Sequence, residues 1–420
     1  MTQIQLGYGR DFLSFEFEAT QYQVLSGKSL VETPLTDLEI GEALNVPIAS
    51  PPIDELFSAD DSVLIVVSDA TRATASAQII NLLVRRLIQA RVSPSAIAII
   101  FATGIHRRVT AEEKIELLTP FITQRIKILD HDANDPSAML SLGTTQNGTS
   151  VEVNRALKDY SRVIITGAIG FHYFAGFTGG RKSICPGLAS VKTIEATHML
   201  ALDFETGGRR AGVNTALLQG NAVHEECERI AAMIEPSLGV YAVVDQRGRA
   251  VRVYAGDWCR AHEAGCREYR AGHSVRIDGK REVTIVSCGG APYDVNMIQA
   301  HKALDMAAHA SQEGGDIILL AECSDGLGRS DFLKWFEAEN SHELAKRLRN
   351  EYEVNGQTAW ALLTKAERYQ IQLISRLPDD TVQRMRMRPA RSLSEAIESL
   401  PPGANGYIMP RGAAIFPQVH

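Results

Sequence analysis

The sequence predicts an α/β protein of two domains, each with a mainly parallel sheet flanked by helices, and with the functional site in the cleft between them. Three observations lead there. The chain has 420 residues, 45% of them hydrophobic and 22% charged, enough to bury a large core and more than one ordinary compact domain holds. Short β-rich apolar runs alternate with amphipathic helical stretches, the pattern of βαβ units and parallel sheets. Polar loops rich in reactive side chains follow several of those runs, where open α/β sheets bind ligands.

The elements follow in order. SVLIVVSD (62–69) reads as a buried strand and QIINLLVRRLIQARV (78–92) as a helix. AIAIIFATG (96–104) is a strand and TAEEKIELLTPF (110–121) a helix, with Thr110 and Glu113 in capping-box spacing. RVIITGAIG (162–170) and VHEECERIAAMI (223–234) give another strand and helix. A second series begins with the strand EVTIVSCGG (282–290) and the helix VNMIQAHKALDMAAHA (295–310). DIILLAECSDGLG (316–328), QIQLISRLPDD (370–380) and NGYIMPRG (405–412) each read as strand, then turn. AGHSVRIDGKRE (271–282) is polar and turn-like, which divides the chain into domains at 1–275 and 276–404, with the segment 405–420 returning to the first. No repeat of solenoid period is visible.

A net charge of −7 argues against nucleic acid or an acidic membrane as partner. The six cysteines form no C-x-x-C pair, and MTQIQLGYGRDF lacks the basic and apolar regions of a secretion signal. No apolar run approaches membrane-spanning length. These features predict a soluble, cytoplasmic protein with free thiols.

GFHYFAGFTGGRKS (170–183) looks at first like a phosphate-binding loop. That loop needs glycine before its lysine, whereas here Arg181 precedes Lys182, and Cys185-Pro186-Gly187 interrupts any following helix. Gly176, Gly179 and Gly180 would let the backbone approach a ligand closely. A solvated tight turn also explains the glycines, but not the gathering of histidines and a lysine. His106 and His172 each follow a strand, so they could face one ligand from two sides, as a two-base reaction requires. His198 falls in a predicted helix with no metal-ligand spacing around it. Asp69 could bind a ribose or orient a base, and Arg72 could clamp a carboxylate, unless the two form a surface ion pair. Gln299 and Lys302 share a helix face, where the lysine could hold a carboxylate or lie in solvent. His224 and His262 fit ordinary helix positions.

Together the segments SDATR (68–72), ATGIHR (102–107), GFHYFAGFTGGRKSICPG (170–187), TIEATH (193–198), GNAVHEE (220–226), AGDWCRAHEAGC (255–266) and CGGAPYDVNMIQAHKALDMA (288–307) resemble the lactate racemase family. They run in that family's order and cover most of the chain. The resemblance implies a nickel-pincer nucleotide, a pyridinium-3,5-bisthiocarboxylic acid mononucleotide holding nickel, tethered covalently through Lys182. His198 matches the protein ligand to nickel, and His106 and His172 the acid/base pair. Asp69, Thr71, Gly179 and Gly180 match cofactor contacts. Arg72, Gln299 and Lys302 match substrate contacts. Ile298 stands where lactate-specific members carry a tyrosine, which predicts a substrate other than lactate.

On this resemblance the first domain binds the cofactor and is catalytic, while the second closes over the substrate. The expected enzyme is an isomerase, a racemase or epimerase that inverts C2 of a 2-hydroxy acid by reversible hydride transfer. The protein supplies positioning and acid/base groups while the cofactor carries the redox chemistry. Its partners would be that small acid and the enzymes that make and load the cofactor; a homo-oligomer is compatible with the sequence. Two other readings stay open: a racemase that removes a proton without a pincer cofactor, and a non-catalytic nucleotide-binding relative.

Overall fold

The computed structural model describes residues 1–27 and 33–419. It divides into two units. One comprises residues 30–201 and 212–269; the other gathers 1–29, 202–211 and 270–420.

The first unit is built on a six-stranded sheet ordered Ala250–Gly256, Leu238–Val244, Arg162–Ala168, Val63–Ser68, Ile97–Ala102, Lys127–Leu129. All neighbours run parallel except the Ala250–Gly256 edge strand. Val63–Ser68 and Ile97–Ala102 are almost continuously apolar and buried, as expected of parallel strands covered on both faces. Their Ile65, Val67, Ile99 and Phe101 pack against Ile79, Ile80, Leu83 and Leu87 of the helix Ser76–Gln89. The predicted capping box is present on the helix Ala111–Thr123: Glu113 N donates to Thr110 Oγ1 and Thr110 N to Glu113 Oε2.

The strand order places the site. From Val63–Ser68 the chain builds outward through Ile97–Ala102 to Lys127–Leu129, then returns to add Arg162–Ala168 on the other side. Val63–Ser68 and Arg162–Ala168 therefore flank the topological switch point, where loops from two strand ends diverge and leave a crevice.

The second unit has a six-stranded, all-parallel sheet ordered Arg388–Ala390, Gln370–Ile374, Ser311–Leu320, Arg281–Ser287, Gly406–Met409, Tyr22–Val24. This corrects the domain limits expected from sequence. Residues 1–27 belong here because Leu6, Phe15, Phe17 and Tyr22 join its core with Val283, Ile285 and Ile408. The 405–420 segment also stays here: Gly406–Met409 lies beside Arg281–Ser287, and Phe416–Val419 pairs with Ser274–Ile277. The stretch 271–282, expected as a turn, carries the end of the helix Arg260–His273 and then the strand Ser274–Ile277. Its polarity reflects an exposed surface, not a linker.

Residues 202–211 cross into this second unit. Arg209 reaches the buried Asp305 at 3.2 Å, Lys365 meets the same carboxylate at 2.7 Å, and Trp360 Nε1 donates to Gly207 O at 3.0 Å.

Candidate active site

Three loops at the carboxyl ends of adjacent strands of the first sheet carry Asp69, Thr71, Arg72, His106, His172, Gly179, Gly180 and Lys182. After Val63–Ser68, Asp69 is 4% exposed. Its Oδ1 accepts hydrogen bonds from the Thr71 backbone N–H (2.9 Å) and hydroxyl (2.5 Å). Its Oδ2 lies 2.7 Å from His106 Nδ1, on the loop after Ile97–Ala102. Burial opposes ionisation of Asp69, but His106 and Thr71 outweigh it and hold the carboxyl below the usual range. The contact is the one an orienting carboxylate would make with a histidine. A carboxylate that accepts from Nδ1–H leaves the lone pair of a neutral imidazole on Nε2. The His106 ring is 44% exposed and can meet a ligand. Arg107, next to it, is anchored by two bonds to Glu113 of the capping box, at 2.8 and 2.5 Å. Arg72 is exposed.

After Arg162–Ala168, the segment 170–187 folds into a short hairpin, Phe171–His172 against Gly176–Phe177, then a tight turn over Gly180–Ser183. His172 Nδ1 accepts from Ala175 N–H at 3.2 Å, and His172 Nε2 lies 3.2 Å from Lys182 Nζ. With Nδ1 acting as acceptor, a neutral ring carries its proton on Nε2, so the lysine amine must accept there. That demands an uncharged amine. Burial first, and then the charge of Arg181, push Lys182 down to about 7, which agrees.

His198 lies on the helix Val191–Met199 and is 6% exposed. Its Nδ1 lies 2.9 Å from Ile194 O, one turn back. Donation to that carbonyl leaves the lone pair on Nε2, the arrangement of a metal-ligating histidine. Burial above all pushes it down to about 3, so the ring is neutral. Phe174 joins the group: its ring lies 4.6 Å from that of His172, 5.2 Å from that of His198, and 5.5 Å from Lys182 Nζ. Sequence reasoning missed Phe174, because nothing distinguishes it from the other aromatics of GFHYFAGF until the hairpin is folded.

The glycines are also required by the protein's own packing. A Cβ on Gly180, at φ +60°, would lie 2.6 Å from Cγ of His262, and one on Gly176 would lie 2.0 Å from Leu217 O. Protein packs against protein at both positions. His262, read from sequence as an ordinary helix residue, supports the turn by a 2.8 Å bond from Nε2 to Thr178 O. The neighbouring Arg181 is 1% exposed and donates from Nη2 to Ala175 O at 2.6 Å. Gly179, at φ +76°, has Ala168 O at 3.0 Å from its would-be Cβ.

In the second unit, Ile298, Gln299 and Lys302 lie on the helix Met297–Ala310, and Lys302 Nζ donates to Gln299 Oε1 at 2.6 Å. A cavity of about 380 Å³ lies in the first unit beside the edge strand Lys127–Leu129, lined by Ile100, Arg155 and Tyr160 among others. None of the predicted residues lines it, and it has no acid/base pair like those above.

Residues 8–207 match the model of the lactate racemase N-terminal domain and residues 278–404 that of the lactate racemase C-terminal domain. The chain belongs to the lactate racemase family. Like the family's other members named for that activity, it is an enzyme of the isomerase class. A lactate racemase of Lactiplantibacillus plantarum is 30% identical over 409 residues, 95% of this chain and 94% of that protein. One from Thermoanaerobacterium thermosaccharolyticum is 28% identical over 408 residues, again 95% of this chain and 94% of that protein. The structure of the lactate racemase apoprotein from T. thermosaccharolyticum superposes with a TM-score of 0.91 at 26% identity, covering 99% of this chain and 100% of that one. A Thermotoga maritima protein shares the fold, with a TM-score of 0.67 at 18% identity, over 93% of this chain and 100% of that one. Among the described residues, no helix is long and apolar enough to cross a membrane.

Proposed function

We propose that this chain interconverts the two C2 configurations of a 2-hydroxy acid, with His106 and His172 as the acid/base pair and a nickel-pincer nucleotide attached at Lys182. The observation that carries the reading is the buried Lys182 amine 3.2 Å from His172 Nε2, its pKa pushed down by burial, with His172 and His198 sharing the Phe174 ring.

The residues fit such a group. An uncharged amine is the nucleophilic form of lysine, as covalent attachment requires. His198 offers a neutral ring with its lone pair on Nε2. Among the described residues no group of three or more His, Cys, Asp or Glu is placed to hold a metal ion, so further ligands to nickel would have to come from the nucleotide. Thr71, Gly179 and Gly180 would border the nucleotide, and Asp69 would do so while orienting His106.

When bound, the pincer nucleotide supplies a two-electron acceptor for the hydrogen on C2. Without one, that hydrogen would have to leave as a proton beside an ionised carboxylate. The protein's part is to hold the acid and move the hydroxyl proton. His106, with Nδ1 fixed on Asp69, presents the Nε2 lone pair as base. His172, with Nδ1 accepting from Ala175 N–H, would place Nε2 toward the substrate from another strand end, and whichever ring has taken up a proton returns it as the imidazolium. Arg72 would hold the carboxylate so that only the keto end of the planar intermediate turns, and Gln299 and Lys302 are proposed as further substrate contacts. Ile298, apolar and branched, supports a substrate other than lactate.

The test uses protein coexpressed with the cofactor-making enzymes. Chiral chromatography over a panel of 2-hydroxy and sugar acids should find at least one racemised or epimerised, with the C2 hydrogen retained in deuterated water. Steady entry of solvent deuterium at C2 would point to direct proton abstraction instead. Lys182→Ala should carry no adduct by intact mass, and racemisation near the parent rate in both His106→Ala and His172→Ala would sink the two-base scheme.

A further inference from the structure

Beneath the lysine turn lies a pair of thiols that the proposed reaction does not use. Cys185 is 0% exposed and Cys227 2% exposed, and their sulfurs are 3.8 Å apart. Cys185 belongs to the 170–187 loop and Cys227 to the helix Ala222–Ala232, so the contact joins two separate elements of the first unit. Cys259 and Cys266 have other partners, Glu228 at 3.2 Å and His262 at 3.4 Å. The pair borders the candidate site directly. Cys185 Sγ is 3.7 Å from Thr197 Oγ1, which is 3.4 Å from His198 Nδ1. Cys185 is also tied to the lysine turn, its N–H donating to Arg181 O at 3.0 Å.

We infer that Cys185 and Cys227 are an oxidisable dithiol, which a small hydroperoxide converts to a disulfide that fixes the turn carrying Lys182. The sulfurs already touch at van der Waals distance, and a disulfide needs about 2.0 Å, so closure asks for about 1.8 Å of approach. Rotation about the two side chains supplies part of it. The remainder must come from the loop, because Cys227 is held within a helix.

The chemistry balances with peroxide as the only oxidant. One thiolate attacks a peroxide oxygen, the O–O bond breaks, and hydroxide leaves to become water. The resulting sulfenic acid is attacked by the second sulfur, the S–O bond breaks, and a second water leaves. Two thiols and one hydrogen peroxide thus give one disulfide and two waters. The hydrogen bond between the two thiols, followed by the charge of Arg181, favours the reactive form of Cys227 against the effect of burial.

Fixing the turn restrains the Lys182 amine, so oxidation makes it less available to an acylating partner. The consequence for cofactor attachment rests on the proposed role of Lys182; the disulfide and the restraint on the amine do not.

The experiment therefore uses cofactor-free protein. Folded chain is treated with limiting hydrogen peroxide, quenched by alkylation, and digested without reductant. The expected product is lighter by two hydrogens, yields a peptide joining Cys185 to Cys227, and reverts with dithiothreitol. Cys185→Ser and Cys227→Ser should not form it. Oxygen addition without the cross-link, a cross-link to another cysteine, or one formed only in denaturant would each overturn the assignment. A pulse of isotopic acetic anhydride then reads the amine. Acetylation of Lys182 should fall several-fold after oxidation and stay unchanged in peroxide-treated Cys227→Ser. Equal acetylation before and after disulfide formation would overturn the coupling to the lysine.

Discussion

Asp69 and Lys182 show how single side chains set the chemistry here. Asp69 fixes the tautomer of His106 through a 2.7 Å contact. Asp69→Asn can present an amide N–H to Nδ1, which puts the ring proton on Nε2 and removes the base. In proteins where a carboxylate orients a catalytic histidine this way, the loss in kcat is about 10⁴-fold; here a fall of ~10²–10⁴-fold with KM little changed is expected, read by chiral chromatography. The same carboxyl is held below its ordinary value. Its contribution to stability is therefore present above the unfolded value of about 3.9 and is lost as pH falls through the lower folded value. Urea midpoints of Asp69→Asn should lack that part of the acid-side slope. Lys182 works in the opposite sense. Burial above all pushes its pKa down to about 7 from the ordinary 10.5, so the unfolded chain binds more protons between those values, and stability rises with pH across that window. Lys182→Met should raise the stability of the cofactor-free protein most below pH 7 and not at all above 10.5. A gain of equal size at every pH would mean that the folded amine is not depressed.

The elements were readable from sequence to different depths. The strand ends at 68, 102 and 168 and the capping box at Thr110 were legible, because buried parallel strands and helix caps leave local patterns. The 170–187 loop stood out as chemical, but its internal logic did not. Phe174 reaches His172, Lys182 and His198 only after a hairpin turns it, and His262 is 82 positions beyond Gly180 in sequence. Gly180 concentrates that hidden logic. Its φ of +60° disfavours any side chain, and a Cβ there would enter the His262 ring at 2.6 Å. Gly180→Ala should cost about 1–2 kcal/mol for the backbone alone and more from the clash. Adding His262→Ala should recover the clash but not the backbone part. Urea denaturation of the single and double variants measures both. Full recovery in the double variant would show that the left-handed conformation is not required.

At the scale of the whole molecule, the sequence suggested two successive domains, and the chain does not obey that order. It passes between the two units after residues 29, 201, 211 and 269. Local periodicity carries no record of such returns, since a parallel strand takes any partner whose edge and apolar faces fit. Tyr22–Val24 is three residues long and gives no period at all, yet it closes one edge of the second sheet. The physical consequence concerns independent folding. The family's C-terminal model matches only 278–404, and a fragment cut there lacks Gly406–Met409, so Arg281–Ser287 loses one of its two neighbours and exposes an edge. It also lacks Arg209 while keeping the buried Asp305 and Lys365, and it loses Leu6, Phe15, Phe17 and Tyr22 from the core. Losing Arg209 weakens this ion network while Lys365 still meets Asp305, and the exposed sheet edge and missing core side chains draw on a domain's net stability of only about 5–15 kcal/mol. A fragment of 278–404 should therefore show little protected amide exchange and should aggregate. Coexpression with a separate 1–277 fragment should not rescue it, because Gly406–Met409 would still be missing, whereas pairing 1–277 with 278–420 restores every strand of the second sheet. A soluble, cooperatively unfolding 278–404 fragment would show that the strand order is less demanding than the pairing implies.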